Sequence, residues 1–283
     1  MEEDSLSLAG KLPLGTGVRV VATHPSGLIA LDKPEGILAH PNKISESEKS
    51  LIQASYNLDG EFYSIRNQGM VDAKAYLLNR IDSPTSGLIL VATNLDIAGQ
   101  IKKLFRENAV TKIYYAIVKG SHIHPALGVW RDTLSKTHAG SIVRSTVGNR
   151  GYPAVTHYAW IRSDVKKIGL SLLRLEPKTG RTHQLRVQCV VHGFPILGDK
   201  TYGDFSFNRR LEKVESCKRM FLHSASVSFS FTWNGKLNSF YAETKLPDEF
   251  EAVLGESASA PNNCDVQISP QLKIRVNTSR RKR

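Results

Sequence analysis

Apolar and polar positions along this chain alternate mostly at strand spacing, with helical spacing in only a few places. Val18, Val20 and Val21 lead into His-Pro-Ser-Gly at 24–27, and Leu28-Ile29-Ala30-Leu31 follows. Apolar run, turn, apolar run predicts a hairpin, which Asp32-Lys33-Pro34-Glu35-Gly36 breaks. Residues 43–70 are mixed and give a weak helical hint near 50–57. Residues 86–93 predict a buried strand, and Asn94 can cap a helix after it. Ile97, Ile101, Leu104 and Phe105 fall on one face of that helix, with Lys102, Lys103 and Arg106 toward the other. Residues 112–118 predict a second strong strand ending at Gly120. The Gly-, Ser-, His- and Thr-rich stretch 120–153 predicts extended loops and short strands, and strands resume near 154–161 and 168–175. A short helix is expected from about Thr182 to His192, stopped by Gly193 as a C-terminal cap. Along 219–231, Val227, Phe229 and Phe231 point one way and Ser226, Ser228 and Ser230 the other.

Strands that dominate without alternating regularly with helices favour an α+β fold on a mainly antiparallel sheet over a doubly wound one. Three units are expected: a flexible N-terminal arm at 1–16, a catalytic domain at 17–250, and a linker with a basic tail at 251–283. The tail proper, 271–283, carries Lys273, Arg275, Arg280, Arg281, Lys282 and Arg283 with no acid. Lys and Arg number 38 against 26 Asp and Glu, a formal charge of +12 that favours polyanions, nucleic acid first among them. Cys189, Cys217 and Cys264 are odd in number and widely spaced, which argues against a disulfide framework or a zinc site. His122 and His124, with no Cys or carboxylate cluster beside them, read as loop residues. No secretory pattern is seen, and no apolar run approaches the roughly 18 residues of a membrane helix. A reducing, cytoplasmic setting is the expectation.

Three segments set polar residues against apolar structure. Asn79-Arg80-Ile81-Asp82-Ser83-Pro84-Thr85-Ser86-Gly87 is a polar loop feeding the strand at 88–92. Arg80 and Asp82, two residues apart, face one side if the loop is extended, and an ionised Asp there can act as a nucleophile. A plain Asx-type turn before the strand is the simpler reading of that spacing alone. In Lys112-Ile113-Tyr114-Tyr115-Ala116 the adjacent tyrosines must face opposite ways, so one can stack on a base, although two ordinary strand tyrosines are the better reading of this segment alone. Thr179-Gly180-Arg181-Thr182-His183-Gln184-Leu185-Arg186-Val187 predicts a helix start suited to phosphate, or else a basic face against solvent.

Together these segments resemble the RluA-like family of RNA pseudouridine synthases. The family pattern His-Arg-Leu-Asp-x-x-Thr-Ser-Gly is similar to Asn79–Gly87. Gly-Arg-x-His-Gln-Leu-Arg-Val followed by Gly-x-Pro-Ile-x-Gly-Asp-x-x-Tyr-Gly is met at 180–187 and 193–203, and Lys-x-Tyr-x-Ala at 112–116. Lys33-Pro34-x-Gly36 and Leu222-His223 also fit, so the matches run in family order over about 18–246. The resemblance implies the pseudouridine synthase fold, a mixed, mainly antiparallel sheet with flanking helices and loops and a central RNA-binding cleft. It makes Asp82 the catalytic aspartate, Arg186 its partner, and Tyr114 the surface under the uracil. Arg80 would fill the space left by the flipped base, Leu222 would floor the pocket, and Arg181, His183 and Gln184 would contact substrate. The substrate class would be uridine in tRNA or rRNA, with no cofactor and no metal, no membrane partner, and a monomer as the expected state. Asn79 and Gln188 stand where the family usually has His; the first is expected to alter RNA contacts, the second to cost little. A catalytically silent RNA-binding protein on the same fold is the alternative. A hydrolase would need a second carboxylate, and Asp199, in a family turn, is more simply structural.

Overall fold

The computed structural model describes residues 10–255 apart from 42, 68, 69, 122, 140, 141, 216 and 217. The expected basic tail and most of its linker, residues 1–9 of the arm, His122, Cys217 and Cys264 therefore lie outside the described residues.

The predicted hairpin is β1 (Arg19–His24) and β2 (Leu28–Lys33), antiparallel with Thr23 opposite Ile29. β3 (Ser55–Asn57), β4 (Phe62–Asn67) and β5 (Met70–Leu77) form a meander that reaches β6 (Ser86–Ala92). Helix α1 (Leu95–Arg106) starts where Asn94 Oδ1 accepts the amides of Asp96 and Ile97. Then come β7 (Thr111–Lys119), β8 (Leu127–Ala139), β9 (Ile142–Val147), β10 (Tyr152–Ser163) and β11 (Leu170–Pro177). Helices α2 (Gln184–Val191) and α3 (Phe205–Glu215), strands β12 (Leu222–Trp233) and β13 (Lys236–Glu243), and helix α4 (Asp248–Leu254) complete the order.

All thirteen strands join one sheet in the order β3-β4-β5-β6-β12-β7-β11-β10-β8-β9, with β2 on β6, β1 on β2 and β13 on β12. Every ladder is antiparallel except β6 with β12, which meet in parallel at Ser86–His223 and Gly87–Ser224. That short junction is the seam between the two halves of the sheet.

Alternation within the strands explains the burial. Ile89 and Val91 of β6 pack with Ile29 and Leu31, while Leu88, Leu90 and Ala92 pack with Leu28 and Ala30 on the other face. A strand covered on both faces reads as an unbroken apolar run. α1 covers the second face with Ile97, Ala98 and Ile101, beside Val227, Phe229 and Phe231 of β12. On β7, Tyr114, Ala116 and Val118 face α2, and Tyr115 and Ile117 face α3 and α4.

Several expectations change. Part of the expected arm is docked: Leu12 is buried, Leu14 bridges Ile52, and Gly15 N–H donates to Leu51 O. Residues 50–57 are not helical. The one helical turn nearby is a 3-10 segment at Ile44–Lys49, and Ser55–Asn57 is a strand. The stretch 120–153 holds two strands, β8 being thirteen residues long rather than short. A boundary at 250 would cut α4, whose Phe250, Val253 and Leu254 are buried against β11 and Phe221.

Gly87 sits at the seam with φ +106, and a Cβ there would lie 2.2 Å from the Ser224 carbonyl oxygen. Gly87→Ala should therefore lose roughly 2 kcal/mol or more, read as a lowered urea midpoint. A midpoint within error of wild type would mean that the seam yields freely.

Candidate active site

A cleft of about 840 Å³ crosses the seam. One wall is the loop Leu78–Thr85 that enters β6, with Leu38, Ala39 and His40; the other is the loop Pro177–His183 and the start of α2, with β7 and Leu222 also lining it.

The first loop is held by its own backbone. Leu78 N–H donates to Leu90 O, and Asn79 Oδ1 accepts from Leu90 N–H, so the loop is clamped on β6 at its start. Asn79 thus acts on a strand amide. At the other end Thr85 N–H donates to the main-chain oxygen of Asp82, so the main chain closes the turn in place of the Asx-type bond from the carboxylate. Lys33 is fully buried, and its ammonium donates to Pro34 O, Ile37 O and Ser83 O at 2.8–3.0 Å, tying the exit of β2 to the Asp82 loop. Burial pushes its pKa down to about 7, while Asp82 and Glu35 pull it back up. Three carbonyls match the three donors of the charged form.

The second wall is built around α2. His183 stands before the helix in the left-handed region at φ 54, so the helix begins at Gln184, two residues later than expected. Gln184 is buried and all its valences are used: Oε1 accepts from Thr179 Oγ1 and Arg181 N–H, and Nε2 donates to Val155 O and Thr156 Oγ1. Its carboxamide shapes the loop and has no group left for a substrate, which corrects the expected contact. Arg181 is exposed on the rim, with its Nε on Pro153 O and its guanidinium over the Tyr152 ring at 5.4 Å.

Arg186 is 5% exposed, which removes the solvent-facing reading of this helix face. Its Nε and Nη2 donate to the two oxygens of Asp199 at 2.7 and 2.8 Å, and its Nη1 donates to Asp82 Oδ2 at 2.8 Å. Asp199, wholly buried, also accepts the amides of Thr201 and Tyr202. Burial alone would raise the Asp199 carboxyl, but Arg186 and the two amides overcome it and hold it below the usual range. Burial likewise works against the Arg186 charge, and the two carboxylates outweigh it. The fork is locked from behind and turns Nη1 to the cleft. Asp82 is the exposed member, its side chain 30% accessible, and among the described residues it is the only acidic one lining the cleft.

The remaining lining is as follows. His183 Nε2 lies 3.8 Å from Asp82 Oδ2, and its Nδ1 is 2.8 Å from Tyr202 Oη, which also accepts the Ser145 amide. Burial lowers the His183 pKa, with Asp82 opposing, which favours the neutral ring. Tyr114 lines the cleft; burial raises the pKa of its hydroxyl, against a hydrogen bond with Ser224. Leu222 is buried and lines the cleft. Arg80 is exposed and its Nη1 is 3.2 Å from His40 Nε2, with His40 stacked on Tyr56 at 4.8 Å. Gln188, wholly buried, donates to Asp132 Oδ2 and Ala154 O and accepts from Thr156, well inside the protein.

The structure thus brings Asp82, Arg186, Tyr114, Arg80, Arg181, His183, Gln184 and Leu222 to one cleft. Sequence reasoning missed the parts played by Asp199, Lys33, His40 and Lys112. Asp199, in the motif after α2, Lys33, before a proline, and Lys112, at the head of the Lys-x-Tyr-x-Ala match, stood in matched segments whose order hinted at a role, and His40 did not. Among the described residues no group of three or more His, Cys, Asp or Glu is placed to hold a metal, and no helix is long and apolar enough to cross a membrane.

A family model described as RNA pseudouridylate synthase matches residues 27–190, a span that holds the Asp82 loop, Tyr114 and Arg186. The chain is 28% identical to tRNA pseudouridine synthase C of Pectobacterium carotovorum over 78% of its length and 57% of that protein's. To ribosomal large subunit pseudouridine synthase C of Haemophilus influenzae it is 32% identical, over 80% of this chain and 65% of that protein. The chain therefore spans about three-fifths of the length of both relatives. The solved human RNA pseudouridylate synthase domain containing 4 shares the fold with a TM-score of 0.60 at 22% identity, over 89% of this chain and 96% of that one. With more than half of its length matched by the family model, the chain belongs to the RNA pseudouridylate synthase family.

Proposed function

We propose that this protein isomerises specific uridines in structured RNA, tRNA or rRNA, to pseudouridine, with Asp82 as nucleophile. The observation that carries this reading is the Asp82 carboxylate, held in the cleft by Nη1 of an arginine whose Nε and Nη2 are held by Asp199. A guanidinium N–H at 2.8 Å fixes the position of the carboxylate that would act as nucleophile.

The reaction breaks the bond from ribose to the base nitrogen, turns the uracil, and rejoins it through carbon. The carbon loses a proton and the nitrogen gains one, so nothing is consumed. Asp82 supplies the anionic group during the interval when the base is detached. Tyr114, kept protonated, offers its ring as the surface on which the base is retained. Leu222 floors the pocket, and His183 and Arg181 stand where the rest of the nucleotide would enter. Arg80, exposed on the opposite wall, is placed to occupy the gap left in an RNA stack when the uridine flips out. The net charge of +12 supports an RNA partner, and the relatives' names support tRNA and rRNA alike. We place the protein in the cytoplasm with that RNA, acting as a monomer.

Purified protein incubated with unmodified tRNA and large-subunit rRNA transcripts should convert one or a few uridines, detected as carbodiimide-dependent reverse-transcription stops. Tight binding of these transcripts with no conversion would favour the silent binder.

A further inference from the structure

Lys112 is a cation in the cleft that the proposed reaction leaves without a task. It lies two residues before Tyr114 on β7, opposite Val227 of β12, and so shares the face that Tyr114 presents to the cleft. It lines that cleft with Phe105, Arg106 and Asn108 from the end of α1 and with Thr179 and Arg181 from the loop after β11. Its amine has no hydrogen-bond or ion-pair partner among the described residues. Burial pushes its pKa down to about 8, and Lys178 adds to the shift. The one acid nearby on β11, Glu176, is taken by Lys178 and Arg174.

An amine desolvated without a partner costs the fold free energy. The fold therefore has no use for this charge, and a bound anion does. Arg106 and Arg181 line the same cleft, and among the described residues its one lining carboxylate, Asp82, is bonded to Arg186. A compact ammonium in one cleft with two guanidinium groups suits a phosphate.

We propose that Lys112 is a phosphate-binding residue: with Arg106 and Arg181 it takes a backbone phosphate of the RNA next to the uridine that stacks on Tyr114. This rests on the reading given under the proposed function.

The test compares wild type with Lys112→Met, which keeps the stem and drops the charge, and Lys112→Arg, which keeps the charge. Affinity for the tRNA and rRNA transcripts is measured between 50 and 200 mM salt, beside steady-state kinetics and thermal melting. Lys112→Met should raise KM about tenfold with kcat little changed. Its plot of log affinity against log salt should flatten by about 0.7–0.9. Its Tm should hold or rise, and Lys112→Arg should restore the slope. On an oligonucleotide carrying the mapped uridine, one neutral methylphosphonate should weaken wild type and leave Lys112→Met unchanged. An unchanged slope and KM in Lys112→Met overturns the inference. So does a fall in Tm and kcat at constant slope, which would mark a structural role or a contact to the base. Conversion of uridine by wild type with an unaltered Lys112→Met slope would sink the phosphate assignment alone. No conversion in any transcript would sink the functional reading and this inference with it.

Discussion

Arg186→Met should cost about 3–5 kcal/mol of stability and abolish uridine conversion together. The stability loss comes from the side of the guanidinium away from the cleft. Asp199 is wholly buried, and Arg186 supplies two of its four hydrogen bonds and all of its countercharge. Without the arginine a carboxylate is left in the interior with two amide donors. For a protein whose whole stability is on the order of 5–15 kcal/mol, that is close to unfolding. The pH dependence follows from the depressed pKa of Asp199. In wild type its ionised form adds stability above the ordinary carboxylate range, and that contribution is lost as pH falls through the folded-state pKa. In Arg186→Met the same carboxylate is a liability, relieved once it is protonated. The deficit should therefore be largest near pH 7 and shrink toward pH 4 in urea titrations. Adding Asp199→Asn should recover part of the stability and none of the activity. A deficit under about 1 kcal/mol at pH 7 would mean that the pair does not hold this wall.

Asp82→Asn should behave oppositely on stability. Its side chain is part exposed, the turn around it is made by its main-chain oxygen, and the loop is pinned by Lys33 and Asn79. Removing the charge leaves one Arg186 N–H facing open cleft, where water can take it. Unfolding free energy should stay within about 1 kcal/mol of wild type, while turnover falls by about 10⁴-fold or more. RNA affinity should hold, since the backbone meets the cations. A variant that keeps a tenth of wild-type turnover would remove Asp82 from the chemistry.

How far the sequence carried the account depended on whether partners were local. The β1–β2 hairpin, β6 and the Asn94-capped α1 were legible because their signals lie within one or two turns of chain. The opposed faces of Tyr114 and Tyr115 follow from strand geometry alone. Residues 55–57 misled because a three-residue edge strand has too few positions to show a period. β8 and β10 were read short since their partners, Leu134 with Tyr152 among them, are supplied by distant chain and by polar residues that sheet pairing tolerates. The arm was misjudged because Leu12 and Leu14 find their pocket beside Leu51 and Ile52, nearly forty residues on. The site divides in the same way. Asp82, Tyr114 and Arg186 stood in segments whose residue types suggested chemistry. That Gln184 turns inward, and that Asp199 braces Arg186, depend on side-chain directions around a left-handed His183 that no spacing rule reveals.

The most direct test of the central claim maps pseudouridine in total RNA from cells with the gene, without it, and with Asp82→Ala in its place. Loss of the same one or few tRNA or rRNA sites in both altered strains is the predicted result, and it names the substrate. Unchanged sites in both strains, with the protein still bound to RNA, would contradict it and leave an RNA-binding protein on this fold.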